Sequence, residues 1–266
     1  MSNTKGRTMR NARTTEKTIF ASACLAVATA LLVCGANRAH ASTVSITAAQ
    51  ANNIEDGSGA GTVQNGGGGS TMLVKQSGYL PTDRKAYLLF NLSGDNADAG
   101  ASATLTITQY LSGNSADTYG LYGLNTGYTT ASESEQGSQP RLGTSWLASQ
   151  IDGDNAPGNN SGSTSFDSAW VTEIATFTVA GAGASETITI PSLTPYLQSD
   201  GTLTLMVRQD VNNSDNGTGF YTNLESVAAN QPTLTFTTAA VPEPASLALF
   251  AVGAVGLLLL RRKARA

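Results

Sequence analysis

The sequence predicts an all-β fold, a single antiparallel β-sandwich of jelly-roll type, and three observations carry that prediction. Apolar and threonine residues alternate in short runs between positions 42 and 238. Clusters of Gly, Ser, Asn and Asp separate the runs. Helical periodicity is almost absent from the same stretch. An alternation of Thr with Val, Leu, Ile or Phe puts hydroxyls on one face and hydrocarbon on the other, the pattern of a half-buried antiparallel sheet. No fixed period of 20 to 30 residues recurs, which argues against a β-solenoid.

The strands follow in chain order. Positions 43–47 and 72–76 are short alternating runs, and 85–92 contains Tyr87-Leu88-Leu89-Phe90, apolar on both sides and therefore central in a sheet. Ala103-Thr104-Leu105-Thr106-Ile107-Thr108 alternates strictly, and 118–124 and 169–179 follow. Thr187-Ile188-Thr189-Ile190, Thr202-Leu203-Thr204-Leu205, 219–224 and Thr233-Leu234-Thr235-Phe236-Thr237 complete the set. Between them, 65–70, 152–165 and 212–219 read as turns and long loops. About ten strands in roughly 195 residues suit one domain with enough buried area to stand without disulfides.

Both ends differ from this body. Basic residues at 5–17 precede an apolar run at 19–34 and the small-x-small site Ala39-His40-Ala41, the layout of a secretory signal peptide cleaved after Ala41. At the other end Pro242-Glu243-Pro244 precedes sixteen uncharged, mostly apolar residues (245–260) and then Arg261, Arg262, Lys263 and Arg265. Sixteen residues at ~1.5 Å rise cover ~24 Å, a marginal transmembrane helix that snorkelling arginines can extend. The basic cluster would stay cytoplasmic, leaving the body outside. The prolines hold the preceding segment extended and stop a helix from running back into the body. The chain thus divides into a signal peptide (1–41), a sandwich domain (42–238) and a C-terminal segment (239–266).

Charge and residue usage exclude several functions. The chain has 266 residues with 15 basic and 19 acidic groups, but the body between 42 and 241 keeps five basic residues against seventeen acidic ones, a net charge of −12. Such a surface repels phosphates, so nucleic acid is not a partner. Cys24, Cys34 and His40 all precede Ser42, so Ser/His/Asp and Cys/His catalysis and zinc sites are excluded for the mature body. Carboxylates are the remaining acid/base groups, and no motif marks a catalytic pair. Glu173 is out of phase on its strand, which suits a bulge or edge position that reaches solvent. Glu225 is expected to form a structural ion pair with Arg84 if the two meet across strands. No catalytic residue is therefore assigned.

Two binding chemistries stay open. Flat aromatic faces suit a sugar ring, and Trp146, Tyr122, Tyr128 and Tyr221 are the candidates, while Trp170 suits the core. Calcium could be held by Asp152 and Asp154, or by Asp210, Asn212 and Asp215, because hard oxygens at alternate positions with a following Gly fit that ion. Ordinary Asx turns explain both loops equally well, and no other cofactor is indicated.

The Pro-Glu-Pro, apolar helix and Arg cluster at the C-terminus resemble the PEP-CTERM protein-sorting signal of Gram-negative bacteria. The resemblance implies recognition by an exosortase, passage through the inner membrane, and delivery to the cell surface, outer envelope or extracellular matrix of exopolysaccharide-producing cells; a simple tail anchor is the alternative. The body resembles DNRLRE-type secreted domains, some of them carbohydrate-binding modules. This second resemblance rests on Met72-Leu73-Val74-Lys75, on 84–93 and 101–107, and on Thr144-Ser145-Trp146, Trp170-Val171, 200–205, 220–225 and 232–234, and it is interrupted by the insertion at 152–165. Together they imply a non-enzymatic exported matrix protein associated with extracellular polysaccharide. The alternatives are a purely structural or adhesive component, or a carboxylate-dependent carbohydrate-active enzyme.

Overall fold

The computed structural model describes residues 41–76, 83–111, 117–132, 139–211 and 217–240. Residues 1–40, which hold the expected signal peptide up to Ala39 and His40, and residues 241–266, which hold Pro242 to Arg265 and the expected transmembrane helix, lie outside the described residues. Residues 42–239 form one compact unit.

Its strands are β1 (Thr43–Thr47), β2 (Gln50–Glu55), β3 (Thr71–Val74), β4 (Arg84–Asn91), β5 (Ala103–Leu111) and β6 (Thr118–Leu124). They continue with β7 (Val171–Thr178), β8 (Ser185–Ile190), β9 (Thr202–Val211), β10 (Thr218–Tyr221) and β11 (Thr233–Thr237). Every pairing between them is antiparallel. One sheet runs β2-β4-β9-β6-β7. In the other, β8 flanks one side of β5, while β10 and β11 share its opposite side and pair outward with β3 and β1. Strands β3 to β10 thus lie in the order β3-β10-β5-β8 facing β4-β9-β6-β7, two interlocked Greek keys, the jelly roll that the alternation predicts.

The main core fills the space between the sheets. Leu88 and Phe90 of β4, Leu105 and Ile107 of β5, Leu203, Leu205 and Val207 of β9, and Phe220 and Phe236 are buried there. The intervening threonines of β5, β8 and β11 face out, and several pair across strands through their hydroxyls, as Thr106 does with Thr187 and Ser45 with Thr235. β4 lies between β2 and β9 and is buried on both faces, as the Tyr87 to Phe90 run requires.

Strand β2 has no counterpart among the sequence expectations. Gln50-Ala51-Asn52-Asn53-Ile54-Glu55 shows no apolar alternation, and asparagine is depleted in strands. Tertiary bonds override that preference: Asn52 Nδ2 donates to the carbonyls of Gln64 and Ala148, and Asn53 Oδ1 accepts from the Leu73 amide.

The stretch 152–165, expected as a long surface loop, is largely buried. It belongs to an excursion between β6 and β7 that packs on the outer face of the five-stranded sheet and creates a second apolar layer. Tyr87, Leu89, Tyr122 and Met206 of the sheet meet Trp146, Ile151 and Phe166 of the excursion. A buried segment without regular structure leaves backbone groups needing partners, and charged side chains supply them. Arg141 donates to the carbonyls of Ala156 and Asn159, and Lys85 Nζ donates to those of Ser163 and Ser165. Gly67, with φ of +73°, permits the close approach on which this layer depends, because a Cβ there would overlap the backbone of Ala148.

Candidate functional site

Three of the four aromatic candidates for sugar stacking are core residues. Trp146 is 1% exposed; its ring meets Tyr87 edge-on at 6.1 Å, and its indole N–H donates to Thr204 Oγ1 at 3.1 Å. Tyr128 is buried and donates to the Leu142 carbonyl, with its ring edge-on to the half-buried Trp170. Tyr122 is buried against Phe166. None of these three presents a flat face to solvent: Tyr122 lies under the excursion over the five-stranded sheet, and Tyr128 and Trp146 are buried within that excursion. Tyr221 is the exception and is partly exposed on β10.

The acidic residues are engaged within the protein. Asp152 is buried, and its Oδ1 accepts the amides of Asp154 and Asn155, an Asx turn; burial pushes its carboxyl pKa up. Asp154 accepts from Ser161 Oγ at 2.9 Å. Asp210 is ion-paired with Arg208 at 2.6 Å and accepts from Tyr122 Oη at 2.7 Å. The oxygens of Asp152, Asp154 and Asp210 thus serve an Asx turn, a bond from Ser161 and an ion pair within the protein. Asn212 and Asp215 lie outside the described residues. Among the described residues no group of three or more His, Cys, Asp or Glu side chains is arranged to hold a metal.

Around Asp210, strands β6, β7 and β9 bring together four titratable groups, Asp210, Arg208, Tyr122 and Glu173. Arg208 Nη2 donates to Tyr122 Oη at 2.8 Å, and Glu173 Oε2 lies 3.4 Å from the same hydroxyl. Pairing of β6 with β7 skips Ile174, so Glu173 sits beside a bulge on an edge strand and reaches solvent, as its phase suggests. Burial, and next the bond to Asp210, push the Tyr122 pKa up, so its hydroxyl stays protonated at neutral pH and acts as a donor. Arg84 pairs with Glu55 at 2.8 Å instead of Glu225, whose Oε1 accepts from Ser226 and the Val227 amide. The expected partner differs because β2, missing from the sequence reading, lies beside β4 and brings Glu55 opposite Arg84.

A groove opens elsewhere, on the outer side of the six-stranded sheet where β3, β10 and β5 meet. It has a cavity volume of about 230 Å³, and Asn53, Thr71, Leu73, Arg84, Tyr110 and Leu111 line it over a floor at Gly219. Its shape comes from a β-bulge. Gly219 faces Leu111 and the next residue, Phe220, faces Gln109, so Tyr110 is the extra residue on β5. Bulges re-aim side chains, and here Tyr110 and Leu111 are both about half exposed, at 54% and 51%. The Tyr110 ring is braced edge-on by Tyr221 at 5.4 Å. The sequence holds a signal for Tyr110: it continues the outward-facing positions occupied by Thr104, Thr106 and Thr108, so an aromatic ring interrupts a hydroxyl face. Asn53 carries no such signal, since its placement depends on β2.

The fold and this surface define a jelly-roll sandwich with one sheet face covered by its own chain and the other uncovered among the described residues. Residues 240–263 match the PEP-CTERM protein-sorting motif, a signal that supports export and association with the cell envelope. The motif implies exosortase processing. Among solved structures, the chain is similar to the N-terminal endo-1,4-beta-D-xylanase 10B of Clostridium thermocellum, whose CBM22-1 and GH10 modules are complexed with xylohexaose. Identity is 14% and the TM-score 0.29 over 75% of this chain, which spans 28% of that one. No curated protein matches the chain.

Proposed function

We propose that the protein is a non-catalytic component of the outer envelope or extracellular matrix of a Gram-negative bacterium, released by an exosortase and associated there with extracellular polysaccharide. The sorting motif carries this reading, because it is joined directly to a compact sandwich at residues 42–239. The body has no His or Cys. Of its five cations, Lys85 and Arg141 are buried, and Arg208 is tied to Asp210. What it offers outward is an open face of hydroxyls and one aromatic groove, a surface suited to sugars.

Fractionation of cells producing the full chain tests this. The protein is expected in the polysaccharide-containing matrix fraction and should leave that fraction when the polysaccharide is stripped. Retention in the inner membrane or cytoplasm would contradict the reading. A purely structural matrix role is favoured by a different observation, the registered Thr and Ser side chains across β1, β11, β8 and positions 104–108 of β5, which form a small-hydroxyl face away from Tyr110. That role predicts matrix localisation without saturable binding to any glycan.

A further inference from the structure

We propose that the groove at Tyr110 is a binding subsite for one ring of a neutral polysaccharide chain. The inference rests on the polysaccharide association proposed above and assigns it to a place. At about 230 Å³ the cavity is smaller than the ~300–1,000 Å³ pockets that enclose drug-sized ligands, and it is open along the sheet, so it suits about one sugar unit of a longer chain. The Tyr110 ring, exposed by the bulge and held by Tyr221, offers an apolar face with little conformational freedom left to lose.

The polar lining points the same way. Asn53 is 1% exposed, and its amide orientation is fixed because Oδ1 must accept the Leu73 N–H; its Nδ2 has no hydrogen-bond partner. A buried donor without a partner is uncommon in native proteins, but this nitrogen has no surface open to the groove, so an acceptor oxygen reaches it only if the Asn53 side chain or its neighbours shift. Arg84 adds a guanidinium whose charge is already balanced by Glu55. An antiparallel bridge sets Lys75 beside Arg84, but one uncompensated ammonium does not offset a body of net charge −12. Hydroxyl and ring oxygens therefore fit better than carboxylates.

Affinity electrophoresis of the exported protein tests the assignment, in gels containing hydroxyethylcellulose, xyloglucan or dextran as neutral probes and alginate as the anionic one. At least one neutral polymer should retard the protein, with little sensitivity to salt. Tyr110→Ala should weaken that binding about tenfold or more, the loss of a single aromatic contact. Gly219→Ala should weaken it too, because its Cβ would rise from the groove floor to 3.1 Å from Leu111 Cβ. Leu147→Ala, at an exposed position on the excursion over the other sheet, should bind as wild type. Retardation that survives both groove variants, with melting temperatures showing that they are folded, would overturn the site while leaving the polysaccharide reading intact. Binding to alginate alone, lost in salt, would overturn the neutral-sugar assignment. No retardation of the wild type in any gel would remove both the site and the reading on which it rests.

Discussion

A lysine with almost no exposed surface has to find acceptors for its three protons and a counter-charge for its ammonium. Lys85 finds them in Asp56 Oδ2 and Asn159 Oδ1 at 2.8 and 2.7 Å, and in the carbonyls of Ser163 and Ser165 at 2.8 Å each. Burial lowers its pKa, against the pull of Asp56. Removing the cation leaves the fully buried Asp56 without its counter-charge, so Lys85→Met should cost ~3–5 kcal/mol in urea denaturation. A loss under ~1 kcal/mol, the scale of an exposed pair, would contradict this role. Asp200 works more locally. Burial alone would raise its pKa, but bonds from Thr202, Thr144 and Ser145 outweigh that and hold it below the usual carboxylate range. A depressed carboxyl contributes stability above its unfolded pKa of ~3.9 and loses that contribution as pH falls through the folded value. Asp200→Asn should therefore lower the melting temperature at neutral pH, and the gap from wild type should close in acid. A gap independent of pH would contradict the charged role of Asp200.

The excursion between β6 and β7 is the element that most changes what the sandwich can do, because it seals one sheet face. Trp146 is its wedge, buried against Tyr87 and bonded to Thr204. Trp146→Ala should cost ~3–5 kcal/mol, and hydrogen exchange should show lost protection in 139–170 before β5 and β11 are affected. Equal loss across both sheets would contradict a separate covering layer. Most strands were legible in the sequence because Thr and aliphatic residues alternate wherever one face meets solvent, as in β5, β8 and β11. Strand β2 was not legible, since Asn52 and Asn53 are held in the sheet by partners distant in sequence. The excursion was not legible either: its Gly, Ser and Asn content is that of an exposed loop, and it is buried through bonds from Lys85 and Arg141 that composition cannot show. Local pattern likewise gave no account of the bulge that exposes Tyr110.

Across the whole molecule, the two sheet faces differ as much as the two ends of the chain do. On the proposed reading, a jelly roll with one face covered by its own chain would present the other face outside the cell, by the route that the sorting motif at 240–263 supplies. The body needs no thiol to be stable in an oxidising compartment, since Cys24 and Cys34 both precede Ser42. Export would remove both ends of the chain, and the intact mass of the protein recovered from outside the inner membrane tests that. The account predicts a chain that begins near Ser42 and lacks the cluster of Arg261, Arg262, Lys263 and Arg265. A mass that retains that cluster would contradict exosortase processing and leave a protein anchored by its tail.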